Sequence, residues 1–168
     1  MGILSSKWVL LVLVLITILV ILYRVGRKSV HTEVTIVATP SEVWSVLTNV
    51  STIKEWNKVL IPIEGELNVG NSIKYEFYQD EGGKASVIDA EVIAIAPDQL
   101  LNQQGGMNFI LTFDHKYILE PSPTGTKVRI EEYYRGIMVP FWNPSPVESA
   151  YHRLLISLKQ RVEQKESM

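Results

Sequence analysis

From Trp8 to Tyr23 the chain reads WVLLVLVLITILVILY, sixteen positions without a charge and with Thr17 as the one polar interruption inside the run. A helix rises ~1.5 Å per residue, so the run reaches ~24 Å, a little short of a ~30 Å hydrocarbon core. Ile3, Leu4, Ser5, Ser6 and Val25 extend it if Lys7 snorkels toward the headgroups. Trp8 and Tyr23 stand at the two ends, where amphipathic rings favour the membrane–water interface. A cleavable signal peptide fits poorly, because cutting near Gly26 places Arg24 at the −3 position, where small residues are required. A buried core helix so uniformly apolar needs apolar neighbours on every side. The expectation is an uncleaved single-pass anchor over 1–28, followed by a domain over 29–168.

Flanking charge sets the expected orientation. Arg24, Arg27 and Lys28 follow the run and Lys7 precedes it, which places the C-terminal part, residue 168 included, on the cytoplasmic side. After Lys28 there are 140 residues, enough for one domain with its own core. That part holds twelve basic and eighteen acidic residues, a balance of −6 (12 − 18). Such a domain repels phosphate backbones, so nucleic acid is not an expected partner. The same sign disfavours lying flat on an anionic lipid surface. The absence of cysteine leaves the redox compartment open. Residues 25–29 read as a short tether.

Val30 to Val37 alternates polar and β-branched residues and predicts a strand. Thr39, Pro40 and Glu42 form a capping-box signature before a helix carrying Val43, Trp44, Val46 and Leu47, and a second short helix is expected over 51–56. Strand-like runs then follow at 59–67, 72–78, 85–95, 99–104, 109–120 and 127–137, separated by turn chemistry that includes Gly105-Gly106. From about Pro146 the apolar residues Val147, Tyr151, Leu154, Leu155, Leu158 and Val162 recur at three- and four-residue steps, the mark of one long amphipathic helix. A helix with a single apolar face must bury it, and a curved antiparallel sheet is the partner on offer. The expected class is therefore α+β, about seven antiparallel strands wrapped on a long C-terminal helix, with a ligand cavity between them.

The segments Ala38–Trp44, Trp56-Asn57, Glu64–Asn71, Ala96–Leu100, His115–Glu120, Gly125–Val128, Glu132–Gly136 and Leu158–Glu163 occur in an order that resembles the START-like, or Bet v 1-like, helix-grip superfamily (SRPBCC), and within it the polyketide cyclase/dehydrase branch. The resemblance covers roughly Val30 to Glu163. It implies a helix-grip fold whose relatives include lipid carriers and cyclases, so it carries fold further than function. Two positions depart from the pattern. Lys58 stands where W-N-P is frequent, and Asn102, Gln103 and Gln104 occupy a region that often holds tryptophan, making that strand end more polar.

Period-two alternation, aligned to the family motif, turns His115, Tyr117 and Leu119 inward on one strand and Val128, Ile130, Glu132, Tyr134 and Gly136 on another. Ile73, Tyr75 and Phe77 add to the same wall, with Trp56 and Asn57 near the rim. The candidate ligand-binding residues are thus Trp56, Asn57, Tyr75, Phe77, His115, Tyr117, Glu132 and Tyr134. Glu132 beside His115 suits proton transfer, and equally suits a satisfied polar cluster that holds a ligand hydroxyl. His31 and His152 read as peripheral. The three histidines lack metal-ligand spacing, no metal or cofactor is expected, and no G-x-S-x-G, P-loop or dinucleotide fingerprint occurs. The apolar stretch 137–142 before the long helix reads either as a plug at one end of the sheet or as a gate or membrane contact. Three functions remain open: a membrane-anchored binder of a lipid, isoprenoid or polyketide-like molecule, a cyclase-like enzyme using Glu132 and His115, and a protein-contact scaffold with a closed cavity.

Overall fold

The computed structural model describes residues 2–165, with side chains over 7–164. The side chains of Ile3, Leu4, Ser5 and Ser6, expected to extend the apolar span, lie outside the described residues, and so does residue 168. Helix α1 (Gly2–Val25) runs 24 residues, ~36 Å at helical rise, and none of the Lys7–Val25 stretch is buried. By length and composition it suffices to cross a bilayer. Thr17, its interior hydroxyl, donates to the Leu13 carbonyl at 2.8 Å and so is satisfied within the helix.

Strand β1 (Arg27–Ile36) begins one residue after α1 ends. The stretch 25–29, expected to be a tether, is instead the end of a helix, a single Gly26 and the start of a strand. Pairing explains it. Arg27 sits opposite Arg135 and Lys28 opposite Tyr134, so the first two rungs of the sheet reclaim these residues. Gly26 makes the junction possible: a Cβ there would lie 2.0 Å from the Gly136 carbonyl oxygen, and the Gly136 N–H donates to the Gly26 carbonyl at 3.0 Å.

The expected capping box is present at α2 (Pro40–Leu47). Thr39 N–H donates to Glu42 at 2.7 Å, and Glu42 N–H to the Thr39 hydroxyl at 3.4 Å. After α3 (Ile53–Trp56) come β2 (Leu60–Gly65), β3 (Ser72–Phe77), β4 (Ser86–Ala96), β5 (Leu100–Met107), β6 (Leu111–Ser122) and β7 (Gly125–Arg135). These strands form one antiparallel sheet in the order β1-β7-β6-β5-β4-β3-β2. The Gly105-Gly106 pair does not turn the chain but lies within β5, with Gly105 opposite Phe113. The turn falls at Met107–Ile110, where the Ile110 N–H donates to the Met107 carbonyl at 3.1 Å. It places Phe109 at φ +66, a backbone region that costs a bulky residue roughly 1–3 kcal/mol.

Helix α4 (Ser145–Lys165) buries Val147, Ala150, Tyr151, Leu154, Leu155, Leu158 and Val162 against the inner face of the sheet and α2. Burial removes ~1.5–3 kcal/mol of unfavourable hydration per large apolar side chain, which is what holds this helix in the curve of the sheet. Alternation is strict on β7, where Thr126, Val128, Ile130, Glu132 and Tyr134 are buried. Between β7 and α4 a short 3-10 turn (Val139–Phe141) divides the apolar segment. Val139 is buried and Trp142 packs edge-on to Tyr134 at 4.6 Å, whereas Met138 and Phe141 face outward. Lys28 straps this loop by donating to the carbonyls of Pro140 and Trp142.

Candidate ligand site

Register brings the candidate pair together. His115 on β6 lies opposite Glu132 on β7, both turned inward, and Nδ1 stands 2.9 Å from Glu132 Oε2. The two residues are 3% and 4% exposed, so neither reaches bulk water. A carboxylate only accepts, so Nδ1–H donates to Glu132, and with no second proton on the ring Nε2 is an acceptor. That Nε2 is buried and has no hydrogen-bond partner. Tyr117 and Tyr151 meet the imidazole edge-on, with ring centroids 4.7 and 5.0 Å away.

Three phenols crowd this pair, and a fourth, Tyr75, lies beyond Tyr117. Burial, then the neighbouring Glu132 charge and a hydrogen bond to Glu132, hold the Tyr134 hydroxyl far above the usual tyrosine range. Tyr151 is raised by burial first, then by the charge of Glu132. Tyr117 is raised chiefly by burial as well. Burial pushes Tyr75 up to about 12, partly offset by donation from Gln103 Nε2 to its oxygen at 2.6 Å. The interior therefore holds one carboxylate, one imidazole and four neutral phenols in an apolar shell.

Tyr75, His115, Tyr117, Glu132 and Tyr134 converge as expected. Phe77 is half-buried and packs on Tyr151 at 5.9 Å. Trp56 is buried rather than at a rim, and its indole N–H has no partner. Asn57 is different. Its Oδ1 accepts from the N–H groups of Val59 and Leu60 at 2.8 and 3.0 Å, and its amide donates to the Leu60 carbonyl at 2.9 Å. Three of its four hydrogen-bonding positions are used in fixing the entry to β2, so the side chain serves the fold and keeps one amide N–H. His152, read as peripheral, is exposed, with Nδ1 at 3.2 Å from the Thr32 hydroxyl.

Two members of the cluster escape a reading by motif. Tyr151 sits among leucines on α4, and its signal is a hydroxyl that cannot be buried without a partner. Gln103 lies two residues after the inward Leu101, so alternation puts it inside. The polar substitution at 102–104 thus changes the interior as well as a strand end.

The expected cavity is nearly closed. A void of about 20 Å³ between the sheet and α2 and α3 is bordered by Trp56, Tyr75, Gln103 and Tyr117 among others. A larger concavity of about 800 Å³ opens where α1 meets the sheet and borders Lys28, Phe113, Tyr134 and Arg135.

A seven-stranded antiparallel sheet gripping a C-terminal helix over an aromatic, partly polar interior defines a helix-grip domain of the START-like superfamily. Residues 27–163 match the family described as polyketide cyclase / dehydrase and lipid transport, and the chain belongs to it. No curated protein matches the chain. Among solved structures it is similar to protein MLL2253 from Mesorhizobium loti (23% identity, 82% of this chain and 98% of that one, TM-score 0.62). It is also similar to protein CV1439 from Chromobacterium violaceum (15%, 81% and 98%, TM-score 0.66). A norcoclaurine synthase point mutant from Thalictrum flavum, solved with a transition-state analogue, shares the fold at 14% identity, over 83% of this chain and 96% of that one, with a TM-score of 0.59.

Proposed function

We propose that this protein is held in a membrane by α1 and binds a hydrophobic molecule bearing a hydroxyl or similar donor between its sheet and α4. The buried, unpartnered Nε2 of His115 carries the reading. Burying an acceptor without a partner is costly, and a ligand hydroxyl donated to Nε2 would satisfy it while the aromatic shell covers an apolar body. Family membership supports a hydrophobic ligand. A lipid-sized guest needs ~300 Å³ or more, so binding requires the interior to open. The end of the sheet where Trp142 packs on Tyr134 and Lys28 straps the loop is the proposed way in. The charges after α1 support a cytoplasmic domain, close to a bilayer that concentrates such ligands.

The test compares two probes of equal length, a fluorescent fatty alcohol and its hydrocarbon counterpart, on the full chain in nanodiscs. His115→Phe should weaken the alcohol by roughly 5- to 150-fold, the equivalent of ~1–3 kcal/mol, and leave the hydrocarbon nearly unchanged. Equal losses for both probes, with the thermal melt preserved, would sink the role given to Nε2.

A second reading, proton-transfer catalysis, draws on the same geometry, since a carboxylate that orients Nδ1 leaves Nε2 as a base. Glu132→Gln discriminates: a catalyst loses roughly 10²–10⁴-fold in turnover with binding intact, whereas a binder loses affinity only.

A further inference from the structure

The exposed apolar side chains of the domain are mostly scattered singly, as on any soluble surface, except at one place. Met107 (67% exposed) and Phe109 (69%) crown the β5–β6 turn, and Phe141 (71%) projects from the 3-10 loop. The two segments are one body. The Ile137 N–H donates to the Phe109 carbonyl at 2.9 Å, and the Met138 N–H to the Ile110 carbonyl at 3.1 Å. This body is fastened to the end of α1, with Tyr23 and Phe109 rings 5.6 Å apart and the Arg135 guanidinium 4.6 Å over the Tyr23 ring. The exposed phenylalanine at the turn occupies a left-handed backbone position better suited to glycine or asparagine.

Charge is arranged around the same point. Lys74, Lys116, Lys127, Arg129, Arg153, Lys159 and Arg161 each stand beside a carboxylate elsewhere on the domain. Among the described residues Arg24, Arg27, Lys28 and Arg135, all at the helix exit, have no such partner. Lys54, Lys58 and Lys84 also lack a carboxylate partner, but they are scattered near α3 and in the β3–β4 loop, whereas these four stand together, interleaved with the exposed aromatics.

We infer that the β5–β6 turn and the 3-10 loop dip into the interface of the same bilayer that α1 spans, with Phe109, Phe141 and Met107 at the acyl boundary and Arg24, Arg27 and Arg135 on anionic headgroups. The inference rests on α1 being a membrane anchor. Continuity with that helix selects lipid as the occupant. Gly26 leaves no slack to lift the domain away, and cations flanking aromatics match the chemistry of an anionic interface. Phe141 immediately precedes Trp142, which packs on Tyr134, so a ligand leaving the bilayer would meet the proposed entrance without crossing water.

The native chain contains no cysteine, so single-site spin labels report without background. Labels at Phe109→Cys, Phe141→Cys, Leu15→Cys and Val37→Cys are compared in the full chain, in vesicles of phosphatidylcholine with phosphatidylglycerol. Val37 is exposed and apolar but lies beyond the far end of β1, ~30 Å away. The expected result is that Leu15, Phe109 and Phe141 labels collide more often with oxygen than with a water-soluble nickel chelate, and that Val37 shows the reverse. Leaving out phosphatidylglycerol should make the Phe109 label shallower. A lipid-embedded Leu15 with aqueous Phe109 and Phe141 overturns this inference and leaves the anchor standing. An aqueous Leu15 overturns the anchor itself. A Phe109 depth indifferent to anionic lipid removes the role given to the arginines.

Discussion

A phenol in a protein interior is stable only while it stays neutral and finds a partner. Tyr75, Tyr117, Tyr134 and Tyr151 are all held above the usual range, Tyr75 at about 12, with burial the largest cause in each case. A group whose folded pKa is raised contributes its stability below the unfolded value, near 10 for tyrosine, and loses it as pH climbs toward the folded value. The fold should therefore weaken above about pH 10, Tyr75 alone accounting for roughly 2–3 kcal/mol by pH 12. Absorbance at 295 nm checks this. The chain has seven tyrosines, and these four should ionise only together with unfolding. Four phenolates appearing in a still-folded protein would show the interior to be wetter than described. Tyr75, Tyr117 and Tyr134 are legible from alternation once the family motif sets which face is inward. Tyr151 is not, because on a helix face a tyrosine among leucines has the same periodicity as any apolar residue.

At the scale of elements, the junction of α1 and β1 decides how the chain is divided. The run Trp8–Tyr23 announced the helix, and T-P-S-E announced α2, because both signals are local. The start of β1 was hidden, since Arg27 and Lys28 have no strand character of their own and are recruited by pairing with Arg135 and Tyr134 on a strand a hundred residues later. The Gly105-Gly106 pair misled for a similar reason: glycines signal a turn locally, but here they lie opposite Phe113 and Thr112 within the ladder. A chain beginning at Gly26 keeps every rung of β1, while one beginning at Ser29 loses two rungs and the Lys28 strap on the 3-10 loop. The longer fragment should be the more stable by about 1–3 kcal/mol in urea denaturation. Equal midpoints for the two would mean that residues 26–28 add nothing to the sheet.

Across the whole molecule, one end gathers what the proposed function needs. The apolar helix leaves from it, a cluster of arginines without carboxylate partners and the exposed phenylalanines stand beside it, and the concavity bordered by Tyr134 opens there. The void beside Trp56 and Tyr75 has about 20 Å³, so a lipid-sized guest enters only if side chains such as Trp142 and Tyr134 move. Native mass spectrometry of the full chain, released from membranes in mild detergent and separately from nanodiscs, tests that claim most directly. The account predicts a bound mass near one per chain that partitions into organic solvent and carries a hydroxyl, and that His115→Phe releases. A chain that flies empty from both preparations would contradict it.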